Sequence, residues 1–176
     1  MVNLNVESHT QSLVDVAQQL CIAARTAPKA RGKDFLVTGV VSGADKTRLA
    51  DTMRDIARRD GVEFFERDAQ NIDDSPVVVL IGTRKEAMGL PHCGYCGFQD
   101  CQDLNDSGGV CAFNSGDLGI ALGSAVSRAA DLRLDNRVMY SVGKAAVELK
   151  MLGPDVSIAY GIPLSARGKN LFFDRG

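Results

Sequence analysis

A single α+β domain, a small mixed sheet covered by about four helices, is the fold this sequence predicts. Three observations lead there. The chain has 176 residues, 45% of them apolar, which is about one domain's length and enough for a core without covalent staples. Helically spaced apolar residues alternate with short β-branched runs, and no repeat or low-complexity linker interrupts residues 1–176. One run, "PVVVLIG" at Pro76–Gly82, is too continuous for an exposed strand and reads as a central one covered on both faces, a helical segment being the alternative.

The elements follow in order. From Ser12 to Ala27, Leu13, Val16, Ala17, Leu20 and Ala24 recur at three-to-four spacing before Pro28 stops a first helix. "FLVTGVV" at Phe35–Val41 is a strand ended by Ser42-Gly43. A second helix spans Ala44–Arg59 with Leu49, Met53, Ile56 and Ala57 inward and Gly61 just past its end. After the Pro76–Gly82 strand comes a cysteine-rich loop, 91–112, and then a long helix over Asn114–Leu134, capped by Asn114 or Ser115 with Asp117 in its first turn. Its Gly116, Gly119 and Gly123 weaken the helix and leave a bare stripe along which another backbone packs closely. That backbone is either the chain's own central strands or a second copy. A last helix, Val138–Leu152, turns Val142, Ala145, Ala146 and Leu149 inward, and "VSIAYGIP" at Val156–Pro163 closes the sheet.

Composition excludes several functions. The net charge of −2 with 24% charged residues leaves no broad basic surface for a nucleic-acid backbone. No apolar run reaches the roughly 20 residues a membrane span needs. "MVNLNVESHTQS" lacks the pattern of a secretory signal, so a cytoplasmic location is expected, where thiols stay reduced unless a metal or redox partner takes them. With only His9 and His92, and no nucleophile–base pair or paired carboxylates, hydrolytic chemistry has little material.

Four of the five cysteines, Cys93, Cys96, Cys101 and Cys111, fall in the spacing C-x2-C-x4-C-x9-C. Gly94 and Gly97 follow the first two. Glycine lets the backbone bend sharply around a small inorganic core and leaves amides free to donate to its sulfur. A structural zinc site usually uses two tight cysteine pairs, and only one is present here. The pattern points to a four-cysteine iron–sulfur (4Fe-4S) cluster, with zinc as the alternative and free thiols as the third reading. His92 reads as a neighbour of the site, Cys21 as a core residue, and Asp100, Asp103 and Asp106 as a solvated acidic loop.

"CGYCGFQDC" resembles the C-G-x-C-G-x-x-x-C run of four-iron modules in the large subunit of corrinoid iron–sulfur proteins and the ferredoxin-linked subunit of Rnf-type complexes, whose fourth cysteine generally lies farther along. Nearly the whole chain is similar to a bacterial and archaeal family of uncharacterised ferredoxin-domain proteins, through Ala23–Asp34, the cysteine loop, Gly116–Arg137 and Gly161–Arg175. A more distant resemblance, carried by Ala23–Lys29, Asp117–Ala121 and Gly161–Lys169, is to FMN-dependent nitroreductases. It implies a nitroreductase-like fold into which the cysteine loop is inserted. It also implies a possible FMN, and a homodimer, because that family builds its flavin pockets from both chains. Lys29, Gly32 and Phe35 stand where those enzymes carry Ser, Asn and Trp, and the arginine-serine element that begins them is absent. Arg25, Lys29, Arg31 and Lys169, with Lys33 and Arg167, are the cations available to a flavin phosphate, or else form a solvated basic loop. The resemblance implies an electron-transfer protein or oxidoreductase working with a redox partner protein or a small-molecule substrate. The competing reading is a cluster- or zinc-bearing binding or sensor module.

Overall fold

A computed structural model describes residues 6–173 of the chain. Its centre is β2, Val77–Arg84. Successive side chains of a strand point to opposite faces, so Val77, Val79 and Ile81 join one apolar cluster while Val78 and Leu80 join another. All five are at most 1% exposed. The first cluster is roofed by α1 (Val6–Thr26) and α5 (Ala112–Asp131). The second lies under α2 (Gly43–Asp60), α3 (Phe64–Asp74) and α6 (Tyr140–Glu148). The doubly covered central strand expected from "PVVVLIG" is therefore present, between β1 (Leu36–Val41) and β4 (Val156–Ser165), and β3 (Asp135–Asn136) extends the sheet beyond β4.

Every pairing in the sheet is antiparallel, which corrects the mixed sheet expected from the sequence. The cause is α3, which that reading passed over. One helix between β1 and β2 would carry the chain back to the start of β1 and make the strands parallel. Two helices folded as a hairpin return it to the end of β1: Lys46 Nζ, at the start of α2, donates to the carbonyls of Ile72 and Asp73, at the end of α3. Phe65, Ala69 and Ile72, all buried and at i, i+4 and i+7, were the signal in the sequence.

The other boundaries moved for identifiable reasons. α2 ends as expected on Gly61, in the left-handed conformation at φ 69°. The final helix begins at Tyr140, because Met139 exchanges both backbone hydrogen bonds with Gly161 and so belongs to the sheet. β4 continues past Pro163 to Ser165. α6 lies so close to β4 that a Cβ built on Gly143 would stand 1.7 Å from the Ala159 carbonyl oxygen. Among the described residues no helix is long and apolar enough to cross a membrane.

Candidate functional site

The cysteine loop leaves β2 at Arg84 and is folded by its own small core. Met88, Leu104 and Cys111 are buried, with Phe35, Leu90, Cys96, Phe98 and Phe113 packed around them. Gly94 and Gly97 adopt φ of 63° and 87°, and the Gly97 N–H closes a turn on the Gly94 carbonyl at 3.0 Å. A short helix, α4 (Cys101–Asp106), follows; Asp100 caps it, its Oδ1 accepting from the N–H groups of Gln102 and Asp103, each at 2.9 Å. The Asp103 carboxylate accepts from the Gln99 N–H at 3.1 Å. The acidic residues expected to be a solvated loop are exposed, but two of them also hold the backbone that carries Cys101.

This folding gathers the four cysteines. Cys93, Cys96, Cys101 and Cys111 line one cavity of about 110 Å³, together with His92 and Met88. All four thiols are free, Cys111 buried and the others half-buried. The thiols frame a space and do not converge on a point: among the described residues no three His, Cys, Asp or Glu side chains are gathered closely enough for one ion. His92 sits at φ 53°, in the left-handed region that a non-glycine residue seldom adopts. Cys21 lies far from this loop in sequence, packed against the α1–α5 core, and burial pushes its thiol pKa up.

α5 starts at Ala112 with Cys111 as its N-cap residue, so the caps expected at Asn114 or Ser115 are not used. Asn114 is instead 2% exposed, and its Nδ2 donates to the carbonyls of Arg84 and Glu86. It thereby ties the entrance of the cysteine loop to the helix that carries the fourth cysteine. Its Oδ1 is buried without a partner. Sequence reasoning took Asn114 for a cap because both roles favour a short amide at a helix start.

The cations proposed for a phosphate fall into two groups. Arg25 Nη1 pairs with Asp34 Oδ2 at 2.5 Å and donates to the Leu36 carbonyl at 3.1 Å. Burial works to raise the Asp34 carboxyl pKa, but the Arg25 and Leu36 hydrogen bonds and the charges of Arg25 and Lys29 hold it below its ordinary value. Lys29 Nζ folds back on the carbonyls of Ala24, Arg25 and Ala27, completing the end of α1. Arg31, at φ 55°, donates to Gly89 O at 3.0 Å, and Lys33 reaches Met88 O at 3.5 Å, so both hold the turn against the cysteine loop. Lys169 is exposed and follows β4 at the other end of the sheet, where Leu164 pairs with Val77. The seven steps of β2 place these ends about 24 Å apart at about 3.4 Å per residue.

Beside the four-thiol cavity lies a larger one of about 450 Å³. Ala112 and Phe113 line both. Tyr95 stands on Phe113, the rings 5.8 Å apart and within 10° of parallel. Pro28 and Lys29 form another side, with Gly116, Asp117 and Ile120 from α5. Asp117 is 8% exposed and its carboxylate accepts from the Ala30 N–H at 3.0 Å. Gly116, Gly119 and Gly123 are exposed, and a Cβ built on any of them would meet no atom within 4 Å. Their stripe therefore does not pack on the chain's own strands. Tyr95 and Phe113 were missed in the sequence, although Tyr95 adjoins Cys96 and Phe113 lies two residues after Cys111.

Comparison with known proteins agrees with this architecture. Residues 107–175 match the family described as "Uncharacterized protein containing a ferredoxin domain". A protein of Archaeoglobus fulgidus, described as "Uncharacterized protein", is 40% identical over 161 residues, covering 87% of this chain and 86% of that one. The chain belongs to the ferredoxin-domain family. This ferredoxin-domain protein also has a nitroreductase-like fold. The nitroreductase CinD from Lactococcus lactis, solved in complex with nicotinic acid, superimposes with a TM-score of 0.60 at 12% identity, over 91% of this chain and 83% of CinD. An FMN-dependent nitroreductase from Clostridium difficile gives 0.55 at 16%, over 96% and 79%. For the hypothetical oxidoreductase YcnD from Bacillus subtilis the values are 0.57 and 18%, over 89% of this chain but only 58% of YcnD, so the chain spans well under two thirds of that protein.

Proposed function

We propose that this ferredoxin-domain protein is a cytoplasmic electron-transfer protein or oxidoreductase that holds a 4Fe-4S cluster on Cys93, Cys96, Cys101 and Cys111, with FMN as a second cofactor in a homodimer. The observation that carries the reading is that four free cysteines, spread over 19 residues of sequence, line one cavity. Four soft thiolates are the donor set of such a cluster. The cavity's 110 Å³ is several times the ~30 Å³ share of one water, which suits a polyatomic core better than a single zinc ion. When bound, the cluster supplies one-electron transfer. The chain's own part is to fix the thiols: Asp100 and Asp103 shape the turn into Cys101, Gly94 and Gly97 bend the backbone after Cys93 and Cys96, and Asn114 ties Cys111's helix to the loop entrance.

The nitroreductase-like fold and the larger cavity support FMN. The separation of Lys169 from Lys29 and Arg31 argues against a phosphate site within one chain and supports one shared by two. So does α5. Three exposed helical glycines cost roughly 1.5–3 kcal/mol relative to alanine, and among the described residues no atom packs on their stripe, whereas a second copy seated on it beside exposed Ile120 would offset that cost.

Anaerobically purified protein tests the reading. About four irons and four sulfides per chain, a broad visible absorbance with a flavin band, and a light-scattering mass twice that of the 18.8 kDa chain are the expected results. Stoichiometric zinc without iron would overturn the cluster. A monomer at micromolar concentration would remove the shared site.

A further inference from the structure

Near its start, β4 carries a residue that β2 does not match. Thr83 of β2 pairs with Ile158 and Arg84 with Val156, so Ser157 is the extra residue of a β-bulge. Its hydroxyl is buried, and among the described residues it has no hydrogen-bond partner. A buried hydroxyl that no protein group satisfies is uncommon and points to something outside the chain. Ser157 lines a cavity of about 160 Å³ between β4 and α6, with Tyr140, Lys144 and Val147 on the helix side and Ile158 and Tyr160 on the strand side.

The outer edge of β4 shapes this cavity. Gly161 exchanges both backbone hydrogen bonds with Met139, so Ala159, two residues earlier, also turns its N–H and C=O away from β2. α6 closes on that carbonyl because Gly143 has no side chain to hold it off. What remains at the cavity is a set of donors: the Ser157 hydroxyl, the Lys144 ammonium and the phenols of Tyr140 and Tyr160. Among the described residues none of the four donates a hydrogen bond. The carboxylates nearest Lys144, those of Asp60 and Glu148, pair with Arg59 at 3.0 Å each. Lys144 is the one charged residue among the described residues that line the cavity.

We propose that this cavity binds a small monocarboxylate of a few carbon atoms, its carboxylate on Lys144 and Ser157 and its apolar end against Val147 and Ile158. The proposal is independent of the cluster and of any flavin, since none of these residues lies in the cysteine loop. Size and charge set the class. The volume of 160 Å³ is about five times the ~30 Å³ share of one water and below the ~300–1,000 Å³ of sites for drug-sized ligands. An ionised carboxylate only accepts hydrogen bonds, as a site made of donors requires. One cation balances one negative charge, which suits a carboxylate better than a phosphate dianion.

Propionate, propionamide and inorganic phosphate are the probes, titrated by calorimetry into the anaerobically purified protein. Propionate is expected to bind saturably at one site per chain, and propionamide, similar in shape but uncharged, at least about tenfold more weakly. Ser157→Ala should keep its far-UV circular dichroism, because its hydroxyl has no protein partner to lose, and bind propionate about tenfold more weakly. Lys144→Met should weaken binding at least as much, while Lys150→Met, which removes an exposed cation outside the cavity, binds as wild type. No propionate binding by wild type would overturn the proposal and leave the Ser157 hydroxyl to an ordered water. Unchanged affinity in Ser157→Ala or Lys144→Met would overturn it as well, the ligand then sitting elsewhere. Phosphate bound more tightly than propionate would overturn the carboxylate class.

Discussion

Asn114 offers the sharpest test of how the loop is held. In Asn114→Ala, two carbonyls, Arg84 O and Glu86 O, lose the Asn114 amide as donor, Arg84 O keeping the Thr83 hydroxyl. At about 1 kcal/mol net per hydrogen bond the loss is about 2 kcal/mol. Part of it is returned, because the substitution also deletes Oδ1, a buried acceptor that already lacks a partner. The expected cost is therefore only about 1–2 kcal/mol. Asn114→Asp has nearly the same shape but turns an oxygen toward those carbonyls in a site 2% exposed. An unpaired buried charge costs about 3–5 kcal/mol, unless the carboxyl keeps its proton and donates it. Its folded-state pKa would then lie above the unfolded value, so stability is retained at low pH and lost as pH rises through the raised pKa. With a urea slope of about 2 kcal/mol per molar, the midpoint should fall by about 0.5–1 M for Ala and by about 1.5–2.5 M for Asp at pH 7. The gap between the two should close toward pH 4. The assay is urea unfolding of anaerobic protein followed by circular dichroism, with iron release measured in parallel. An Asp variant as stable as the Ala variant at pH 7 would refute the donor role assigned to Asn114.

Other outcomes follow from single contacts. Gly143→Ala forces a methyl group against the Ala159 carbonyl and should cost about 3 kcal/mol or more, seen as a lowered thermal midpoint or an insoluble product. Cys96→Ser should lose the visible absorbance and the iron while far-UV circular dichroism is kept, because the main core lies in the α1–α5 and α2–α3–α6 layers, away from the loop. Asp34→Asn should cost at most about 1 kcal/mol at pH 7, since the pair with Arg25 is partly exposed. Because the Asp34 pKa is lowered in the folded state, that difference is fully present above its ordinary value of 3.8 and disappears as pH falls through the lowered one, which thermal melts across acidic pH will show.

Much of the candidate site was legible in the sequence because a cysteine motif is a local pattern. Four cysteines with glycines after the first two mark four thiols and the bends between them, and all four line one cavity. The cations were not legible in the same way. A lysine in a turn reads alike whether it awaits a phosphate or caps a helix, and Lys29 caps α1. Asn114 misled for a similar reason, since its position beside a helix start is a local fact and its partners lie about 30 residues away.

The sequence alone determined the classes of element and the central strand, because apolar periodicity and continuous β-branched runs record which faces must leave water. It also picked out the four cysteines of the loop as a candidate donor set. Tertiary structure decided the direction of the strands, through the α2–α3 hairpin, and the neighbourhood of the loop. No local pattern encodes that Tyr95 stacks on Phe113, that Asp117 meets the Ala30 N–H across 87 residues, or that the two basic clusters stand at opposite ends of the sheet. Those are consequences of how the layers close, where the energy comes from packing between distant segments and each residue's own preference says nothing about its partner.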